Sequence, residues 1–374
     1  MSPAGESARL LLDRAAALAA GSLLDVLPNP PVGCLIVAGG GRVIAEGFHR
    51  HYGGPHAEAE ALRAAGSAAR GAVVHATLEP CGAAVEGKKT PPCAPALRDA
   101  GVASVVYACE DPTPTSAGAG PALLRAAGIE VLRSPSPQAE ALLVRWRRAV
   151  DDPLPWTVAK WAMTLDGKIA DARGTSRWIT GEEARDRAGE MRARCDAVVV
   201  GSRTAALDDP DLRPRGREGR GGRAFLRVVV DGRLRLSPAS RLAATARECP
   251  VLLACGGEAP PDRRAALERR GVEVAPFPCG DGRVDLGALF RALKGRGLRR
   301  VLLEGGGDLH AAALRAGIVR QAAVFVAPAI LGGRTAPGPV AGEEGLRGIA
   351  DPLRLEETRV ARLGEDLLVE GFVG

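Results

Sequence analysis

AVVHATLEP (Ala72–Pro80), PPCAPALRDAG (Pro91–Gly101) and SVVYACED (Ser104–Asp111) read in turn as strand, helix and strand. The outer two are short apolar runs rich in β-branched residues. The middle one opens on prolines and closes on glycine, as a helix does. GPALLRAAG (Gly120–Gly128) adds a helix and IEVL (Ile129–Leu132) a last strand. Upstream, VGCLIVA (Val32–Ala38) and RVIAEGF (Arg42–Phe48) are split by Gly39, Gly40 and Gly41 and read as a hairpin, and Ala57–Ala65 reads as a helix. Strands alternating with helices predict a three-layer α/β domain.

The N-terminal stretch MSPAGESARLLLDRAAALAAG places Leu10, Leu11, Ala15 and Leu18 on one helical face. Charges interrupt it, so it is not expected to act as an export signal. Near the middle, SPSPQAEALLVRWRRAVDDPLPW holds a short helix between proline-rich stretches, with a linker expected around Ala149–Pro155. A second α/β domain then starts. WTVAKWAMT, DAVVVGS, LRVVVDG, VLLACGG, RVLLEGG and AAVFVAPAIL are its strand candidates, with helices at Glu182–Arg194 and Ala265–Gly271. RPRGREGRGGR (Arg213–Arg223) reads as a mobile loop, and Arg217, Arg220 and Arg223 as solvated charges. The predicted domains are residues 1–148 and 155–374.

A chain of 374 residues fits two domains. Its 46% hydrophobic and 25% charged content is that of a globular protein, and a formal charge of +6 is too small to argue for nucleic acid. No apolar run approaches the ~20 residues of a membrane span. The eight cysteines are scattered. Without an export signal they are expected to be reduced thiols in the cytoplasm, the clustered ones being metal candidates.

Pro55-His56-Ala57-Glu58 with Pro80-Cys81 and Pro92-Cys93 is the strongest motif. A catalytic zinc takes three protein ligands and leaves one position open. His56 would supply nitrogen and Cys81 and Cys93 thiolates, each cysteine at the expected start of a helix, whose dipole favours the thiolate. Glu58, two residues past His56, would take a proton from water and deliver it to a leaving amine, the logic of the zinc base deaminases. A structural zinc would need a fourth ligand. His75 is near in sequence, but it lies inside a strand and is expected to pack.

PNPPVGCLIV, EGFH, PHAE, TLEPC, TPPC, DPTP and AGAG…AAGIEV in the first half, and AKWAMTLDGKIA, SRWITG, DDPDLRPR and LLEGGGDLHAAAL in the second, resemble the bifunctional deaminase/reductase family of riboflavin biosynthesis. The resemblance covers nearly the whole chain. It implies a cytidine-deaminase-like domain followed by a dihydrofolate-reductase-like domain. It also implies hydrolysis of the 2-amino group of a diamino-ribosylamino-pyrimidinone 5′-phosphate, then NADPH reduction of the ribosyl group to ribityl. Carried over by position, Asn29 and His49 should line the deaminase pocket and Lys89 approach the substrate phosphate. The chain departs from the family pattern after Cys81. Gly82 and Ala83 stand where Ser-His is usual, and eleven residues separate the two cysteines, a longer connection than the family's.

Glu304-Gly305-Gly306-Gly307-Asp308 follows an apolar strand and precedes a helix. Such glycines let backbone approach a pyrophosphate at a helix start, although a glycine turn of this kind is more often structural. It is not the G-x-G-x-x-G fingerprint. The resemblance implies that Ala162, Trp178, Thr204, Asp208 and Gly305, Gly306, Gly307 and Asp308 contact NADPH. It implies that Ser176, Arg192, Leu212, Arg215 and Glu304 contact substrate. Arginine suits a sugar phosphate through its bidentate fork, Glu304 can hold ribose hydroxyls, and Lys160 can polarise the sugar. The cofactors expected are therefore Zn2+ and NADPH, in a homo-oligomer that takes small molecules and neither nucleic acid nor membrane. Two other enzyme readings stay open at this point. One is a paralogue acting on a related pyrimidine phosphate, and the other a nucleic-acid base deaminase, which 3% aromatic content disfavours. A structural zinc with a binding module would make the chain no enzyme at all.

Overall fold

A computed structural model describes residues 3–82, 90–113, 116–214, 225–342, 346 and 348–374. The chain forms two compact units, Met1–Asp152 and Pro153–Gly374.

The first unit runs α1 (Pro3–Ala20), β1 (Gly33–Val37), β2 (Val43–Phe48), α2 (Ala57–Ala65), β3 (Val73–Leu78), α3 (Cys93–Ala100), β4 (Ser104–Cys109), α4 (Ala119–Ala126), β5 (Glu130–Arg133) and α5 (Pro137–Asp151). The sheet order is β2-β1-β3-β4-β5. β1 pairs antiparallel with β2 and β3, and β3, β4 and β5 are parallel. β1 is buried along its whole length, so both its faces need cover. Leu35 and Val37 pack with Ala15 of α1, while Ile36 joins the core that contains Ala57 and Ala61 of α2. Gly47 lets α2 approach, since a Cβ there would lie 2.3 Å from the Ala57 carbonyl oxygen. α5 extends to Asp151, so residues 149–151, expected as linker, are helical.

The second unit runs β6 (Trp156–Thr164), α6 (Glu182–Ala193), β7 (Ala197–Gly201), α7 (Ser202–Asp208), β8 (Leu226–Val230), α8 (Arg241–Ala244), β9 (Val251–Cys255), α9 (Pro261–Arg269) and β10 (Glu273–Pro276). A short ribbon, β11 (Cys279–Gly280) and β12 (Arg283–Val284), precedes α10 (Leu286–Gly295), β13 (Arg300–Leu303), α11 (Gly307–Arg315), β14 (Val319–Ala327), β15 (Leu355–Leu363) and β16 (Asp366–Val373). The nine-stranded sheet is ordered β10-β9-β8-β7-β13-β6-β14-β16-β15. It is parallel from β10 to β14, and the last two strands are antiparallel. Parallel strands buried on both faces read as unbroken apolar runs. On β7, Val198 and Val200 enter one core and Ala197 and Val199 another. Ligands of such sheets sit beyond the carboxyl ends of the strands. There Gly201, Glu304 and the segment after Val230 converge.

Candidate active sites

In the first unit α2 and α3 deliver the metal-type donors. His56 caps α2, Glu58 lies in its first turn, and Cys93 is the first residue of α3. The His56 nitrogen and the Cys81 and Cys93 sulfurs all lie within 4.8 Å of one another. His56 Nδ1 is 3.7 Å from Cys81 Sγ and 3.3 Å from Cys93 Sγ. The Cys93 N–H donates to Cys81 Sγ at 3.2 Å, which favours a thiolate there. Cys81 itself does not open a helix: it follows β3 outside any helix or strand. Its thiolate is therefore supported by the first turn of α3 rather than by a helix of its own. Without a cation the trio is an uncomfortable group. The Cys93 thiol is pushed well up, by Cys81 and then by burial. One imidazole and two thiols suit zinc, which would displace both protons. No fourth ligand joins the group among the described residues. Glu58 is 3% exposed, and burial, with Cys81 beside it, raises its carboxyl above the ordinary range.

His56, Cys81 and Glu58 open into a cleft of about 250 Å³. His49 Nδ1–H donates to the Pro55 carbonyl at 2.8 Å, which leaves Nε2 to accept from Asn29 Nδ2 at 3.3 Å. Burial lowers the His49 pKa, with His56 and His51 adding to the effect against the Pro55 bond, so the ring is neutral. Tyr52, Asp111, Thr113 and Ser116 line the same cleft. The turn that carries Cys81 is fixed from α4. Glu79 accepts the Gly118 N–H at 2.8 Å, Gly118 being in the left-handed region with φ 73°. Gly120 lies so close that a Cβ would fall 1.6 Å from the Pro80 carbonyl oxygen.

In the second unit Arg192, near the end of α6, meets Glu304, just after β13, in a two-pronged pair: Nε to Oε1 and Nη2 to Oε2, both 2.9 Å. Burial alone would raise the Glu304 carboxyl, but Arg192 and Lys160 outweigh it and hold it below its ordinary value. Half-buried Lys160, on β6, is lowered by burial, with Glu304 opposing and Arg192 adding. Ser176 Oγ donates to Asp208 Oδ1 at 3.0 Å. The glycine turn faces α7, since a Cβ on Gly306 would lie 3.8 Å from Thr204 Oγ1. Gly307 has no room for a side chain, with the Gly338 carbonyl oxygen 2.5 Å from the Cβ position. Gly306 caps α11, and Asp308 lies in its first turn.

A family model described as the RibD C-terminal domain matches residues 155–369, and one for the cytidine and deoxycytidylate deaminase zinc-binding region matches residues 6–109. A riboflavin biosynthesis protein RibD of Actinobacillus pleuropneumoniae is 36% identical over 363 residues, 96% of this chain and 94% of that one. The chain belongs to the RibD family. RibD of Aquifex aeolicus is 34% identical over 343 residues, 91% of this chain and 92% of its own. The solved structure of Acinetobacter baumannii RibD superposes with a TM-score of 0.71 at 33% identity, covering 99% of both chains. A Thermotoga maritima diaminohydroxyphosphoribosylaminopyrimidine deaminase/5-amino-6-(5-phosphoribosylamino)uracil reductase gives 0.71 at 32%, again covering 99% of both. The fold is thus the deaminase-like domain followed by the RibD reductase domain.

Three groups of the expected RibD residues come together: His56, Cys81, Cys93 and Glu58; Lys160, Arg192 and Glu304; and Ser176 with Asp208. Others stand differently. Leu212 is 5% exposed and its side chain belongs to the core, so its backbone is what it can offer a ligand; its φ is 60°. Trp178 is 71% exposed, with Arg185 and Arg177 guanidinium groups 4.7 and 5.8 Å from its ring centre. Ala162 is half-buried on β6. Lys89 and Arg215 lie outside the described residues, as do Ala83, Arg217, Arg220 and Arg223. Sequence reasoning missed Asp111 and Thr113, although the D-P-T-P motif that carries them was in view. It also missed His310, a fully buried ring under the glycine turn. His310 Nδ1 lies 3.1 Å from the Pro339 carbonyl oxygen, and Nε2 lies 3.3 Å from the Leu303 carbonyl oxygen and 3.4 Å from the Gly305 nitrogen.

Proposed function

We propose that the chain performs two consecutive steps of riboflavin biosynthesis. Residues 1–148 would hydrolytically deaminate 2,5-diamino-6-ribosylamino-4(3H)-pyrimidinone 5′-phosphate, and residues 155–374 would reduce the ribosyl group of the product to ribityl with NADPH. The observation that carries the reading is the His56–Cys81–Cys93 trio, with buried Glu58 lining the same cleft as His56 and Cys81. His56, Cys81 and Cys93 would hold zinc, which supplies a water that ionises near neutral pH. Glu58 then holds a proton at its carboxyl and passes it to the departing amine. Its raised affinity for the proton suits that duty. Neutral His49, held by Pro55, and Asn29 orient the pyrimidine, and Lys89 meets its phosphate.

NADPH supplies the hydride of the second step. Thr204, Asp208, Ala162, Trp178 and the Gly305–Asp308 turn would bind it. Ser176, Arg192, the Leu212 backbone and Arg215 would hold the sugar phosphate, with Glu304 on its hydroxyls and Lys160 beside the carbon that is reduced. The reading also takes the protein to be cytoplasmic and homo-oligomeric, acting on small molecules. Metal analysis with chelation tests it. One zinc per chain is expected, with ammonia release lost on chelation and restored by Zn2+ while reduction of the deaminated substrate continues. Undiminished ammonia release from metal-free protein would overturn the zinc assignment.

A further inference from the structure

Arg227 lies on β8 among Leu226, Val228, Val229 and Val230. At 0% exposure it is the largest fully buried side chain among the described residues. A buried cation is costly, and packing alone would be met by leucine. Among the described residues no carboxylate reaches it at hydrogen-bond distance, the nearest being Asp211 Oδ1 at 3.7 Å. Its bonds go to neutral acceptors. Nη1 donates to the Asp211 carbonyl at 2.9 Å and to Thr245 Oγ1 at 2.8 Å. Nη2 donates to the Thr245 carbonyl at 3.0 Å and to that of Cys249. One guanidinium thus ties the loop after α7 to the segment 241–249.

That loop needs holding. Asp209 and Leu212 both stand in the left-handed region, at φ 37° and 60°, a conformation that costs a non-glycine residue about 1 kcal/mol or more. Its flank is pinned by the Arg241 N–H, which donates to Asp209 Oδ1 at 2.9 Å. On the other side Arg192 Nη1 donates to the Arg213 carbonyl at 3.4 Å while its remaining nitrogens hold Glu304.

We propose that Arg227 is a positioning residue of the reductase. It holds residues 208–213 from beneath, so that Asp208 and the Leu212 backbone stand in register with Arg192 and Glu304. The proposal rests on the reductase reading above and is tested by a readout that does not depend on it.

Arg227→Lys keeps the charge but can no longer bridge both segments. Its KM for the deaminated sugar phosphate should rise at least ~10-fold, with kcat within about threefold of the parent. Amide hydrogen exchange should quicken in 208–213 and 241–249 and stay at parental rates in β6 and β13. Thr245→Val, a milder change, removes one acceptor and should move KM and local exchange the same way by about two- to fivefold. Parental KM and exchange in both variants would overturn the proposal. Exchange raised throughout the second unit together with lost kcat would overturn it too, because Arg227 would then serve only the fold. If the parent chain oxidises no NADPH with this substrate, the reductase reading fails first and the proposal falls with it.

Discussion

Gly120→Ala should disable the deaminase through a backbone contact alone. Gly120 is the second residue of α4 and passes the Pro80–Gly82 turn backbone to backbone: a Cβ there would sit 1.6 Å from the Pro80 oxygen and 2.7 Å from its carbon. A carbon and a carbonyl oxygen normally stay about 3.3 Å apart, so the turn must retreat by about 1.7 Å. Cys81 is bonded to that carbonyl, and zinc–ligand distances tolerate only about 0.2 Å. The expected result is weakened zinc retention and a loss of about 10²-fold in ammonia release, in line with the effect of a displacement of about 1 Å at a reacting centre. Alanine is the better helix former by about 1 kcal/mol, so helix propensity cannot be the cause of a loss. Ammonia release without NADPH, metal content, and reduction of the deaminated substrate should be measured on one preparation, the last being unchanged. A variant that keeps its zinc and releases ammonia within about threefold of the parent rate would refute the claim that this contact sets Cys81.

Glu58→Gln should retain zinc yet lose at least ~10² in deamination, with metal analysis and ammonia assay as the check. Glu304→Gln leaves Arg192 without its carboxylate at a largely buried site, where the side chains are 20% and 14% exposed. Denaturant unfolding of the second unit should show a loss of about 2 kcal/mol, below the fully buried value because some solvent remains, and reduction should fall while ammonia release persists. His75, in β3, has a buried Nδ1 without a hydrogen-bond partner, and burial lowers its pKa to about 4. The unfolded chain therefore binds the proton first. The stability of the first unit should be complete above about pH 6.5 and fall by up to about 3 kcal/mol as the pH drops toward 4. His75→Phe should remove this part of the slope, which pH-dependent unfolding will show.

The His56–Cys81–Cys93 trio was legible in the sequence because its members are punctuated by backbone signals. Proline precedes His56, Cys81 and Cys93, and proline also marks the start of α3. The β7 and β8 strands were equally plain, since burial on both faces leaves apolar runs. β15 was not, because it is an edge strand whose residues are mostly exposed, so LEETRVARL carries no alternation to read. α10 was also missed, although Asp285 caps it by accepting the Ala288 N–H. Cys81, like Cys93, was expected where a helix begins, and it does not open one. Gly82 beside it serves spacing, since a Cβ there would lie 2.4 Å from the Ala119 carbonyl carbon. Arg227 was hidden because its role depends on carbonyls 16 or more positions away in the chain, and His310 because one of its partners, the Pro339 carbonyl, lies 29 positions away; no local pattern encodes either.

By the proposed function one chain deaminates a pyrimidine ribosyl phosphate and then reduces it. The direct test is to incubate the purified chain with the diamino-pyrimidinone ribosyl phosphate and follow ammonia and NADPH separately. Ammonia should appear with or without NADPH, and NADPH should be oxidised only after ammonia has been released, in equal molar amounts. NADPH oxidation without ammonia, or ammonia release with no subsequent oxidation, would overturn this order of reactions.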